Sequence, residues 1–147
     1  CVNGILFNHE SHLRNDNFVI PKIIKSASYI KKNNSKNKIK FGDISIVRDW
    51  GWAPEYVEAI QLITNAKKLN DHVICTGQAN SLQIFISKVF ATFNMNWEEH
   101  VEIDQDLFRT QEIAKSFGNP DCLFNELGWK TKEDINSIIK KLTNHLN

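Results

Sequence analysis

Along the 147 residues, apolar positions alternate between short continuous runs, the mark of buried strands, and three-to-four spacing, the mark of amphipathic helices. Residues 3–7, which include Gly4-Ile5-Leu6-Phe7, predict a short strand covered on both faces of a parallel sheet. The polar stretch from Asn8 to Asn17 holds too many turn formers for a helix and reads as a functional loop. Ile20, Ile23, Ile24 and Ala27 then recur at helical spacing with Pro21 in the first turn, so a helix is expected from Ile20 to near Lys32. A basic, Asn-rich linker follows, up to Lys38. Extended segments at 39–41 and 44–46 lead into Arg48-Asp49-Trp50-Gly51-Trp52-Ala53. Pro54 opens a second helix, expected to turn Tyr56, Val57, Ile60 and Ile63 inward.

His72-Val73-Ile74-Cys75 predicts another buried strand, closed by Thr76-Gly77. Leu82, Phe85, Ile86, Val89, Phe90 and Phe93 mark the clearest helix, with Asn80 as its expected N-cap and Gln83 reaching back. A strand at 101–103, a loop around Phe108-Arg109-Thr110 and a short helix over 120–127 come next. The last helix carries Ile135, Ile138, Ile139, Leu142 and Leu146, behind Thr131 and Asp134 as an expected capping pair. Strands alternate with helices and no segment repeats, which predicts a single α/β unit.

Composition narrows the function classes. With 41% hydrophobic and 24% charged residues, the chain is neither disordered nor fibrous. No apolar run approaches the roughly 20 residues that cross a bilayer, so no membrane partner is expected. Eighteen basic against seventeen acidic residues leave a formal charge of +1, and the basic linker lacks the interleaved aromatics that stack on bases. No nucleic-acid partner is expected either. Cys1, Cys75 and Cys122 are odd in number and widely spaced, unlike a disulfide framework or a zinc knuckle, which points to a reducing cytoplasm. The start at Cys1, running at once into an apolar strand, reads as part of something longer.

The six glycines are too scattered for a phosphate-cradling loop. No Tyr precedes a Lys by four residues, and no G-x-S-x-G, His-x-x-x-His or Cys-x-x-Cys occurs. A self-contained catalytic centre or metal site is therefore not expected. The basic residues carry more information, since fifteen of the eighteen are Lys and only Arg14, Arg48 and Arg109 are Arg. In a chain that uses Lys by default, an Arg marks a need for the planar bidentate fork that Lys lacks. All three fall in predicted loops, where they suit phosphate or ribose recognition, or structural salt bridges.

Two stretches, Gly4-Ile5-Leu6-Phe7-Asn8-His9-Glu10-Ser11 and Arg48-Asp49-Trp50-Gly51-Trp52-Ala53 followed by Tyr56-Val57-Glu58-Ala59, resemble the C-terminal half of the GDP-mannose 4,6-dehydratases. These belong to the extended short-chain dehydrogenases/reductases. Val73-Ile74-Cys75-Thr76-Gly77, Phe108-Arg109 with Glu112, and Leu127-Gly128-Trp129-Lys130 match later motifs in the same order. The resemblance covers nearly the whole chain. It implies an α/β fold, the C-terminal part of a Rossmann-type enzyme including its substrate-binding lobe, with residues 1–147 forming one portion and the dinucleotide-binding half absent.

The resemblance also implies roles. His9 and Arg14 fall where the family touches NADP. Asn8, Val19, Lys22, Arg48, Arg109 and Glu112 fall where it holds the sugar nucleotide, GDP-mannose or a relative of it. Two forks and an ammonium suit a diphosphate, and a carboxylate at Glu112 can accept two ribose hydroxyls. His9 equally suits a satisfied loop histidine, Lys22 a solvated helix residue and Glu112 a helix-start acid. The family's reaction moves hydride from C4 of the sugar to NADP, eliminates water across C5 and C6, and returns hydride to C6. Its Tyr-Lys pair, Ser or Thr, and Glu base have no match here, so this portion is expected to be inactive alone, and the complete enzyme to be a homo-oligomer. Departures are clear: His12, Leu13, Arg14 and Asn15 stand where the family has Pro, two Arg and Gly, Ile20-Pro21 replaces Thr-Arg, and Thr110 replaces Pro. Another extended reductase, epimerase or dehydratase, acting on a different nucleotide sugar, and a non-catalytic nucleotide-binding module are the alternatives.

Overall fold

In the computed structural model, which describes residues 1–146, the first strand runs further than its hydrophobicity predicts. β1 (Gly4–Leu6) continues through Phe7 into β2 (Asn8–Glu10). The chain changes partner on the way. β1 lies parallel to a strand at His72–Ile74, and β2 lies parallel to one at Trp50–Trp52. The Phe7 amide bridges the two pairings by donating to the Ile74 carbonyl at 3.0 Å. The expected loop thus gives its first three residues to the sheet, because ladder partners on the Trp-Gly-Trp strand outweigh the turn propensity of Asn-His-Glu. A second departure is that Ile5 and Leu6 are exposed, so β1 is not covered on both faces.

The remaining strands are β3 (Ile39–Phe41), β4 (Val47–Arg48), β5 (Trp50–Trp52), β6 (His72–Ile74), β7 (Asn80–Ser81), β8 (Val101–Ile103) and β9 (Lys115–Ser116). β3 pairs in parallel with β8. β4 is the middle of a small three-stranded sheet, antiparallel to β7 and parallel to β9. Among the described residues five α-helices are interspersed with them: α1 (Val19–Asn33), α2 (Ala53–Thr64), α3 (Leu82–Thr92), α4 (Asp121–Leu127) and α5 (Ile135–Asn144). None is long and apolar enough to cross a membrane.

Local chemistry sets the helix ends. α1 stops where Asn34 adopts the left-handed conformation, φ 47°, which Asn tolerates better than most residues. The α3 cap is Ser81, whose Oγ accepts from the Ile84 amide at 3.2 Å, while Asn80 is held in β7. At α5 the reciprocal partner of Asp134 is Ser137, not Thr131: the carboxylate accepts the Ser137 amide at 2.8 Å and the Ser137 hydroxyl donates to the Asp134 carbonyl at 2.8 Å. α2 is rotated from expectation. It buries Glu55, Tyr56, Ala59 and Ile63 and exposes Val57 and Ile60. The cause is Glu55, whose carboxylate accepts the backbone amides of Lys132 (2.8 Å) and Glu133 (3.4 Å) and fixes the helix's rotation.

Two apolar clusters result. The larger packs α1, α3 and α5 around Phe41, Trp50 and Trp52. The smaller joins Tyr56, Ala59 and Ile63 to Ile74, Leu123 and Trp129. Fully buried Asp49 couples the β5 and β6 regions. Its carboxylate accepts from the Thr76 amide (3.0 Å), the Thr76 hydroxyl (2.7 Å) and the Gly77 amide (2.9 Å). Gly77 itself sits at φ +76°, a conformation glycine adopts without steric cost.

Candidate functional site

The ends of β2, β4 and α1 and the segment after β8 surround a cavity of about 450 Å³. All three arginines line it, together with Asn8, Val19 and Glu112. Six of the eight residues singled out in the sequence are therefore brought together, across more than a hundred positions of chain. His9 and Lys22 are not in the lining. Strand alternation explains the first: neighbours on a strand point to opposite faces, so Asn8 and Glu10 face the cavity while His9 turns toward Tyr56, its ring 5.3 Å away. His9 Nδ1 lies 2.8 Å from the Phe7 carbonyl. Lys22 instead donates to the Lys40 carbonyl at 2.9 Å, with its ammonium 4.8 Å over the Phe41 ring.

Two of the guanidiniums share one acid. Arg48 Nη2 donates to Glu112 Oε1 at 2.5 Å and its Nη1 to the Val47 carbonyl at 2.8 Å. Arg109 Nη1 approaches Glu112 Oε2 at 3.5 Å, yet its side chain is 81% exposed. Arg48 is thus held at both terminal nitrogens, and Arg109 stands largely in solvent. Arg14 Cζ lies over the Phe18 ring, 3.9 Å from its centroid, and Nη1 donates to the His9 carbonyl at 3.3 Å. A cation stacked on an aromatic face keeps its outer edge available for an anion.

Pattern reading missed Glu10 and Trp50. Glu10 is only 2% exposed, and burial pushes its carboxyl up to about 7, an effect that nearby Arg14 partly offsets. Arg14 Nε lies 3.8 Å from Glu10 Oε2, too far for a hydrogen bond. Glu10 Oε2, Arg14 Nε and Trp50 Nε1 are all buried without a partner, and all three residues line the cavity. Buried polar atoms are nearly always paired, so these three are exceptions; shut off from solvent, they sit behind the cavity surface, where Glu10 and Arg14 face each other as an ion pair at 3.8 Å. The signal in the sequence is a Glu inside an otherwise polar run, which composition alone assigns to a loop. Glu10 and Arg14 also wall a second cavity of about 380 Å³, toward His12, Lys25 and Leu142.

Chemically, the cavity offers one half-buried and one exposed guanidinium, a third over an aromatic ring, and acceptors at Glu112 and Asn8. That set has the chemistry to suit an oxyanion-rich ligand with hydroxyls. It contains no nucleophile activated by a base.

Residues 1–142 match the family model described as GDP-mannose 4,6 dehydratase. GDP-mannose 4,6 dehydratase 1 of Arabidopsis thaliana is 38% identical over 140 residues, covering 95% of this chain and 38% of that protein. The human GDP-mannose 4,6 dehydratase is 31% identical over 159 residues, covering 97% of this chain and 42% of that protein. The chain spans about two fifths of the length of these curated relatives. In structure it is similar to the RMD protein of Pseudomonas aeruginosa complexed with NADPH (TM-score 0.84, 19% identity, 97% of this chain and 46% of that one). It is also similar to a dTDP-glucose 4,6-dehydratase of Bacillus anthracis in complex with NAD (TM-score 0.83, 14% identity, 97% and 43%). At those identities the likeness is one of fold, the Rossmann-type α/β fold of nucleotide-sugar dehydratases and epimerases, of which this chain holds a part. With the family model aligned over nearly every residue and with relatives above 30% identity, the chain belongs to the GDP-mannose 4,6 dehydratase family.

Proposed function

We propose that residues 1–147 are the substrate-binding portion of a GDP-mannose 4,6-dehydratase that converts GDP-mannose to GDP-4-dehydro-6-deoxy-mannose. The dinucleotide-binding half and the catalytic residues then lie in a part outside this sequence. The observation that carries the proposal is the meeting of Arg14, Arg48 and Arg109 around one cavity with Glu112 between two of them. Arg48 and Arg109 grip the diphosphate, Glu112 and Asn8 take hydroxyls or the base edge, and Val19 packs at the rim. Lys22 supports the wall through Phe41 rather than touching ligand.

The exposed apolar side chains of β1 fit a partner half that completes the sheet. A nicotinamide cofactor, NADP in this reading, supplies hydride transfer when bound. Arg14, whose guanidinium lies over Phe18 beside the cavity, fits an anionic group of that cofactor, and His9 faces the opposite side of β2 from the sugar-nucleotide residues. The complete protein is proposed to work as a homo-oligomer in the cytoplasm, without nucleic acid or membrane.

The test is nucleotide competition on the full-length protein. GDP should displace bound nucleotide sugar far better than UDP, CDP or dTDP. The departures at Leu13, Pro21 and Thr110 favour one second reading, a related enzyme for another nucleotide sugar, and preference for UDP or dTDP would select it. Binding of none of the four would overturn both.

A further inference from the structure

Another cluster of chemistry-bearing side chains lies away from the cavity, where β6 begins. His72 opens that strand with its side chain only 1% exposed. Cys122 and Glu126 stand four residues apart on α4, one turn up the same helix face. Cys122 Sγ is 3.8 Å from His72 Nδ1 and 3.8 Å from Glu126 Oε1, and Glu126 Oε2 is 3.5 Å from His72 Nε2. The donor atoms lie within 4.8 Å of one another, the one such His/Cys/Asp/Glu grouping among the described residues.

Taken one atom per residue, the donors lie within 4.8 Å of one another, wider than the edges of a coordination tetrahedron, so a bound ion would draw them together by up to roughly 1 Å. A metal with sulfur at about 2.3 Å and nitrogen and oxygen at about 2.0–2.1 Å places its ligand atoms roughly 3.3–3.6 Å apart. We propose that His72, Cys122 and Glu126 form a binding site for a zinc-class divalent cation, with solvent as the fourth ligand. A thiolate with an imidazole favours zinc over magnesium or calcium, which prefer oxygen. Binding releases the Cys122 thiol proton to solvent and leaves the sulfur as thiolate. Asn70 already orients the carboxylate by donating from Nδ2 to Glu126 Oε2 at 2.8 Å, as outer partners of metal ligands do. Exposure of Cys122 and Glu126 gives an entry path and room for the solvent ligand. Because the site lies at the opposite end of β6 from the Asp49 clamp, the ion ties α4 to β6 and serves as a staple rather than a reagent.

Cobalt(II), used as the sole added metal on the full-length protein, reads this out. A tetrahedral spectrum with thiolate-to-metal charge transfer is expected, displaced by one equivalent of zinc. It should vanish in Cys122→Ser and survive in Cys1→Ser, and zinc should bind Glu126→Gln at least ~tenfold more weakly. Zinc should also slow alkylation of Cys122 at least ~tenfold. Cys122 and Glu126 are exposed, so these variants do not depend on replacing buried His72. An octahedral cobalt spectrum, a signature that persists in Cys122→Ser, or an alkylation rate indifferent to zinc would overturn the site.

Discussion

Glu112 meets Arg48 through one carboxylate oxygen at 2.5 Å and Arg109 through the other at 3.5 Å. A single acid therefore sets the spacing of two guanidiniums, one from β4 and one from the loop after β8. Partly exposed pairs of this kind contribute at most about 1 kcal/mol to folding. Their larger effect is orientation. Arg48, held at both terminal nitrogens, has surrendered its rotamer freedom before ligand arrives, so less entropy is lost on binding.

Replacing Arg48 by Lys keeps the charge and loses the fork. In the full-length protein, affinity for the nucleotide sugar should fall by ~1–3 kcal/mol with little change in melting temperature. Calorimetric titration checks it, and an unaltered affinity would count against the site.

Glu10 predicts a pH dependence of stability. Its folded carboxyl titrates near 7, above the ordinary 4.5, so the native state holds its proton where the unfolded chain has lost it. The stability linked to this proton is complete below about 4.5 and is lost as pH rises through 7, by about 3 kcal/mol in all. Glu10→Gln cannot ionise and should escape that loss. Urea unfolding at pH 4 and pH 8 should give a Gln-minus-Glu difference that grows in favour of Gln; a constant difference would refute the assignment.

Asp49→Ala removes a fully buried carboxylate that is the shared acceptor of three donors on half-buried Thr76 and exposed Gly77. Solvent can take up part of the lost bonding at these donors, so the net cost should be roughly 1–3 kcal/mol. Hydrogen exchange should accelerate first at the Thr76 and Gly77 amides. Protection there equal to that of the parent chain would show that the carboxylate is not the clamp.

Tyr56 and Gly51 form a packed pair with opposite expected responses. A Cβ at Gly51 would overlap the Tyr56 ring, so Gly51→Ala should destabilise by ~1–3 kcal/mol. The Tyr56 hydroxyl is buried without a partner, so Tyr56→Phe should be neutral or stabilising within ~1 kcal/mol. Chemical denaturation distinguishes the two signs.

The sequence by itself determined the alternation of strands and helices and the approximate places of the five α-helices, and it singled out three rare arginines. Periodicity fixes which residues an element can bury, and rarity of Arg among Lys marks where fork geometry is wanted. Only tertiary structure decided that Asn8 to Glu10 form a strand, since their partner lies some forty residues away at Trp50 to Trp52. The rotation of α2 likewise rests on Glu55 reaching amides near Lys132. The orphaned atoms of Glu10, Arg14 and Trp50, and the meeting of His72 with Cys122 and Glu126, were equally out of reach of local pattern. Propensity and spacing act over a few residues, whereas pairing, burial and charge act across whatever distance the fold closes, and the site is made of the second kind.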